Sequence, residues 1–347
     1  MNLRKLILSL TVALGLAAPA LAQTTQTQAT VARVTGAATV TLPDGSTTPL
    51  TAGMKVAQGS TITTGADGDV YLESHAGYVT SIKHDSVVAV DEISVTTEGG
   101  QVKEERTMLD LKSGNLVAKL DPKKKAVNNY QVRTPKGVAA ARGTVFNVAY
   151  KGGTYSIAVV NGTVTILPTS GDVGFSNSRM NGVQVTAGNS VNLATDIAGE
   201  TITSRDVTSI ANMASSNISS ASIRELLATA VATVTLAAQN GIGGTTAAEA
   251  AAVAKAVFTA VPSAAEQAGA LIKASNDASP PKDSNAAAAV MQAVTTATPT
   301  AAQAALTSGA TTGTFTPSTT TTATSSPNAS VTTPQPIDPS TISRSNE

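Results

Sequence analysis

The sequence predicts a mainly β N-terminal domain, either a hairpin-rich sandwich or a short β-solenoid, followed by an Ala-rich α-helical region and a disordered tail. Three observations carry this. From residue 30 to about residue 195, apolar and polar residues alternate, and Gly-containing turns recur roughly every ten residues. Over residues 201–306 Ala dominates, and helix-capping signals replace turn signals. Residues 307–347 are Thr, Ser, Pro and Gly with almost nothing apolar to bury, so they cannot offset their ordering entropy.

The N-terminus predicts export. Arg4 and Lys5 precede an apolar run over residues 6–18, too short to span a bilayer comfortably. Ala20 and Ala22 flank Leu21 as a small-x-small cleavage site, so residues 1–22 read as a signal peptide and Gln23 as the mature N-terminus. The sequence has no cysteine, which rules out a lipoprotein anchor, disulfides and thiolate catalysis. An exported chain without disulfides must be held by its own core or by partners. No later run is apolar enough for a transmembrane helix. The expected location is therefore the periplasm, the cell surface or the medium.

Residues 23–29 read as a short polar leader. The β domain is placed at residues 30–168, with a β extension at 169–200 that ends in strands near 183–188 and 190–193. Asp44-Gly45, Asp67-Gly68, Gly99-Gly100, Gly152-Gly153 and Asn161-Gly162 supply the positive-φ positions that tight hairpins need. The most informative stretch begins with Thr134, Pro135 and Gly137. It continues through Arg142, Gly143 and Thr144 into the alternating Val145, Phe146, Asn147 and Val148. Gly162 and Val164 then open a further strand. Pro135 marks a strand start or edge. Gly137 and Gly143 mark turns or close backbone approach.

This order of elements resembles the FecR-like periplasmic domain, whose members carry a TP-x-G element, an R-G-T-x-F-x-V strand and a G-x-V-x-V strand. Upstream, Gly36 with Val40-Thr41-Leu42, Leu50 with Gly53, Ile62-Thr63-Thr64-Gly65 with Val70-Tyr71-Leu72, and the run from Leu109 to Leu116 fit the same pattern. The resemblance covers residues 30–167. It implies a non-catalytic β domain that binds protein or ligand. In the family's best-known members that domain is tethered through a membrane helix to a cytoplasmic anti-sigma segment, and it relays a signal from an outer-membrane transporter. Here a signal peptide is expected in place of those parts, so transmembrane sigma-factor control by this chain alone is not expected.

In the Ala-rich region four capping boxes, Ser222 with Glu225, Thr246 with Glu249, Ser263 with Glu266 and Thr300 with Gln303, predict helix starts. Helices are expected near 223–239, 247–260, 264–274, 285–297 and 301–306. The pattern around Ala252, Val253, Ala256, Val257 and Pro262 recurs at Ala289, Val290, Ala293, Val294 and Pro299, an offset of 37 residues (252 to 289). A helix–Pro–helix unit of this period suits a small α-array.

Chemistry is sparse. His75 and His84, with Glu73 and Asp85 nearby, read as exposed hairpin residues short of a metal ligand set. No G-x-S-x-G elbow is present. Asp91 and Glu92 are strand neighbours and should face opposite ways, so they cannot flank one glycosidic bond. Lys123, Lys124 and Lys125, close to Lys119, read as a solvated hairpin tip or a basic contact for an acidic partner or lipid headgroups. Arg142 reads as a guanidinium that ties neighbouring strands together, or as a partner contact. Formal net charge is +0 and aromatics are 3%, which argues against nucleic-acid and carbohydrate platforms. No catalytic, cofactor or metal residues are assigned. The expectation is a non-enzymatic interaction or signal-sensing module of the cell envelope, with an envelope protein as partner. The alternative is a self-assembling structural or matrix protein built from the helices and tail.

Overall fold

The computed structural model describes residues 22–168, 183–186, 189–192 and 220–314. One compact unit runs to Phe315. Residues 1–21 of the expected signal peptide (1–22) and residues 315–347 of the expected tail (307–347) lie outside the described residues.

The β half is an antiparallel half-barrel of two curved sheets around one core. The first sheet has the order β4(Thr47–Pro49), β3(Ala38–Thr41), β6(Thr61–Thr64), β9(Val87–Glu98), β10(Gln101–Leu120), β11(Asn128–Thr134), β12(Gly137–Ala141), β15(Thr163–Pro168) and β16(Val183–Thr186). β1(Gln23–Gln26) also pairs with β9. The second sheet has the order β5(Lys55–Val56), β2(Ala29–Thr35), β7(Asp69–His75), β8(Tyr78–Ile82), β10, β13(Val145–Lys151), β14(Thr154–Asn161) and β17(Asn189–Asn192). All these pairings are antiparallel except β10 with β11. The expected mainly β domain is thus a hairpin-rich half-barrel.

β10 belongs to both sheets. Residues 101–113 pair with β9, and residues 114–120 pair with β8 and β13. The hand-over falls at Gly114, with φ +103, where a Cβ would lie 2.1 Å from Ser86 Oγ. Only glycine fits both that backbone and that space. Val31, Val70, Leu72, Ile82, Leu116, Phe146 and Val148 of the second sheet meet Val40, Ile62, Val88, Leu109, Leu111, Val132 and Val164 of the first in the shared core.

The second sheet is buried on both faces. Val117, Val145, Ala158 and Val160 alternate with the core residues and turn away from the first sheet, as do Tyr71 and Val79. Helix α1(Ser220–Gln239) covers them. From Leu226 to Ala237 every residue of α1 is buried, the three threonines included. A helix that is apolar all round belongs inside, and this one separates the sheet from the remaining helices.

Those helices are α2(Ala247–Ala260), α3(Ala265–Ala278), α4(Ser284–Ala297) and α5(Thr300–Thr312). α2 lies against α4, and α3 against α5. The 37-residue offset therefore relates two helix–Pro–helix segments, α2 to α3 and α4 to α5. Crossing of α3 and α5 is close, because Gly269 and Gly309 meet it: a Cβ on Gly309 would lie 2.0 Å from the Glu266 carbonyl oxygen.

Several expectations need correction. Residues 23–26 are strand, not leader, since β9 offers them a free edge. α5 continues past residue 306 to Thr312, held by the Gly309 crossing and stopped by left-handed Gly313. Of the four capping boxes, Thr246 with Glu249 forms. Ser263 sits inside a 3-10 turn, and α3 starts at Ala264 without a side-chain cap. α5 is preceded by Pro299, and α4 is capped by Asp283.

The apolar outer face of the second sheet yields a prediction. A fragment ending at residue 192 lacks α1 and exposes that face, so sedimentation should find it self-associated, whereas residues 23–314 should sediment as a single species. A monomeric short fragment would contradict the dependence of the β half on the helices.

Candidate functional site

Thr134, Pro135 and Gly137 build the hairpin between β11 and β12. Thr134 is buried. Its Oγ1 accepts from the amides of Lys136 (3.3 Å) and Gly137 (3.2 Å) and donates to the Gly137 carbonyl (3.0 Å). Pro135 and Lys136 form the two-residue turn. Gly137 is an ordinary strand residue, paired with Thr134 and Pro168.

Gly143 is the conformationally demanding position. With φ +62 it brings the turn after β12 onto the turn after β10, where its Cβ would lie 2.8 Å from Pro122 Cα. Gly162, φ +77, seats its turn on Thr144. Phe146, Val148 and Val164 enter the shared core. Val145 faces α1 instead, and Asn147 Nδ2 donates to the Leu226 carbonyl (3.0 Å). The side chain of Ile166 lies outside the described residues; Val159 is in the core.

Arg142 corrects an expectation. Its side chain is exposed and reaches no partner among the described residues, so it does not tie strands together. The structure does bring it beside the lysine turn. Asp121 Oδ1 caps that turn by accepting from the Lys123 amide (2.9 Å). Lys124 turns inward to Glu105 (2.8 Å) and stands 5.4 Å from the Tyr78 ring centre, whereas Lys123 and Lys125 stay exposed. Lys119 is buried and pairs with Glu249 of α2 (3.4 Å).

The guanidinium that does tie elements together is Arg33. It is 5% exposed on the outer face of the second sheet. It donates to Ser275 Oγ (2.6 Å) and to the carbonyls of Ser275 (2.7 Å) and Ser279 (2.6 Å) at the C-terminus of α3. Cations suit that end of a helix because the last carbonyls lack intrahelical partners. Arg33 and Lys83 stand 5.9 and 5.7 Å from the Tyr71 ring centre, and Lys83 pairs with Asp69. Burial pushes the Tyr71 hydroxyl pKa well up, so it stays neutral.

The histidines differ. His84 is exposed beside Asp85 (2.9 Å), as expected. His75 is buried, which corrects the sequence reading: its Nε2 lies 3.1 Å from the Arg106 carbonyl, and its ring meets Tyr78 edge-on at 5.5 Å. Among the described residues no group of three or more His, Cys, Asp or Glu side chains could hold a metal ion. Asp91 and Glu92 share a face after all. A bulge in β9 opposite Met108 and Leu109 breaks the alternation, so Asp91 reaches Arg133 (2.9 Å) and Glu92 reaches Arg106 (2.8 Å). Burial raises the Asp91 pKa, with Asp110 adding to it. Of the expected cleavage site, Ala22 is exposed and Ala20 lies outside the described residues. No helix among the described residues is long and apolar enough to cross a membrane.

The family model described as FecR protein matches residues 60–165, and the β half therefore carries a FecR domain. The match starts later than the resemblance at residue 30, yet β2 and β3 belong to the same sheets through β7 and β6. Two solved structures from Parabacteroides distasonis, each described as a candidate anti-sigma factor, are similar to the chain. One is 11% identical with TM-score 0.29, covering 38% of this chain and 53% of its own. The other is 11% identical with TM-score 0.24, covering 50% of this chain and 55% of its own. The chain thus spans about half the length of these structures. A search of curated proteins finds no match.

This geometry makes three predictions. Arg33→Ala should cost about 2–4 kcal/mol in denaturant unfolding, because three charge-assisted hydrogen bonds are lost from a buried site. Arg142→Ala should stay within about 0.5 kcal/mol of the parent. For His75, burial lowers the pKa from the ordinary 6.5, ahead of the opposing pull of the Arg106 carbonyl and Glu105. The unfolded chain then binds the proton more readily. Its stabilising contribution is complete above 6.5 and is lost as pH falls from there towards the folded value. Urea melts at neutral and mildly acidic pH should show this loss in the parent and a smaller one in His75→Gln.

Proposed function

We propose that this chain is an exported, non-catalytic interaction or signal-sensing module of the cell envelope, acting through its FecR domain. One observation carries the reading. The FecR domain has one sheet sealed by the chain's own helices, while its first sheet and its motif turns stay open to solvent. The open face is polar and locally neutralised. Glu92 with Arg106, Asp91 with Arg133 and Asp110 with Lys112 form a charged surface suited to a protein partner rather than to an apolar ligand.

A signal peptide at residues 1–22 and location in the periplasm, on the cell surface or in the medium belong to the same reading, supported by the n-region, the apolar run and Ala20-Leu21-Ala22. The alternative is an assembly role for the helical half. It is favoured by the helix-on-helix packing of α2 with α4 and α3 with α5, in which exposed positions on α2 and α4 include Ala252, Ala256, Ala288 and Ala289.

Photo-crosslinkers placed in the full chain at Arg133 on the open sheet and at Thr296 on α4 separate the two. The interaction reading expects a discrete envelope protein joined through position 133. Self-crosslinking through position 296 alone would overturn it in favour of assembly.

A further inference from the structure

The turns that meet around Gly143 form a charged surface that the packing does not use. Arg142, Lys123 and Lys125 are exposed, and none has a carboxylate partner among the described residues. Elsewhere in the β half, Lys83, Lys103, Arg106, Lys112, Lys119, Lys124 and Arg133 each face a carboxylate, while Arg33 turns to carbonyls and Lys55 to Thr30, and Lys151 stands exposed and apart. At the motif end Asp121 is the opposing charge, and its Oδ1 is taken by the Lys123 amide.

Two segments distant in sequence supply these cations, and the backbone fixes their spacing. Gly143 at φ +62 rests on Pro122, and the Asp121 cap holds the turn that carries the lysines. Their backbone positions are therefore set before any partner arrives, which limits the ordering cost of binding.

We propose that Lys123, Lys125 and Arg142 form a docking point for an acidic peptide segment of a protein partner. This rests on the interaction-module reading. A guanidinium takes a carboxylate through two parallel N–H···O bonds, and two ammonium groups beside it supply point charges for neighbouring acids. The number of cations argues against a membrane surface, where recognition uses clusters of about 4–8 basic residues. A nucleic acid would call for aromatic faces to stack its bases, and the whole chain is 3% aromatic with a formal net charge of +0.

The test uses the full chain and a labelled oligo-glutamate peptide, followed by fluorescence anisotropy at low and high salt. The parent should bind the peptide, and binding should weaken as salt rises. The triple variant Lys123→Glu, Lys125→Glu, Arg142→Glu should lose affinity by about tenfold or more, with an unchanged melting curve. The triple change to Gln should lose less. Reversal of a remote exposed cation, Lys255→Glu, should change little. No binding by the parent, or equal loss with Lys255→Glu, overturns the proposal. So does tighter binding to phosphatidylglycerol vesicles than to the peptide, in favour of a lipid surface. A separate arm repeats the crosslink at position 133 in the triple Glu variant. A partner retained there sinks the docking point but not the module. A parent that binds the peptide yet crosslinks only to itself sinks the module reading and leaves the cationic site as a self-contact.

Discussion

The second sheet is buried on both faces, and the rest of the molecule follows from that constraint. Strand alternation sends Phe146 and Val148 one way and Val145 the other, with Asn147 beside it, so a sheet built from such strands needs a cover on each side. The first sheet provides one cover. α1 provides the other, and because it is buried from Leu226 to Ala237 it needs a further layer, which α2 to α5 supply. The helices are thus the third and fourth layers of the same body.

Apolar burial holds the layers together, and a few polar groups set their register. Asn147 fixes α1 by one hydrogen bond to Leu226, Lys119 meets the capping-box Glu249 of α2, and Arg33 grips the end of α3. Each sits on the second sheet and points at a different helix. A hydrophobic contact tolerates sliding by a turn; a buried guanidinium with three acceptors does not, since misplacement leaves its donors unpaired in a dry site.

Much of this architecture was legible. The Gly-punctuated strands, the hairpin at Thr134 and Gly137, the helix positions and the 37-residue offset could all be read because each is a local pattern of spacing. Two side chains leave the strand alternation for one physical cause. Arg33 follows Ala29 and Val31 at the alternating spacing, so it would be placed in the shared core; a bulge between Val31 and Arg33 moves it to the helix side, opposite Tyr71. Asp91 is moved by a second bulge in β9. One inserted residue reverses every side chain beyond it, and nothing in the local composition announces the insertion. Arg142 was misread for the opposite reason. A charged residue in a family-like motif invites a structural role, yet Gly143 makes the turn and leaves the guanidinium in solvent.

The Ala-rich helices and the sheet complement one another in bulk. An Ala side chain buries little apolar area, so a bundle of such helices gains little from each contact. Close approach compensates in part, as at Gly269 and Gly309, where backbone meets backbone. The few large apolar groups of α2 to α5, such as Phe258, Ile272, Val290 and Leu306, are supplemented by those of α1 and of the sheet beneath it. Leu227, Val231 and Val234 share one cluster with Phe258 and Val257 on one side and with Val117 and Val145 on the other. The sheet needs a cover, and the helices need a floor with bulk. That complementarity leaves the β half with one sheet covered by the helices and the first sheet and the turns around Gly143 open to solvent.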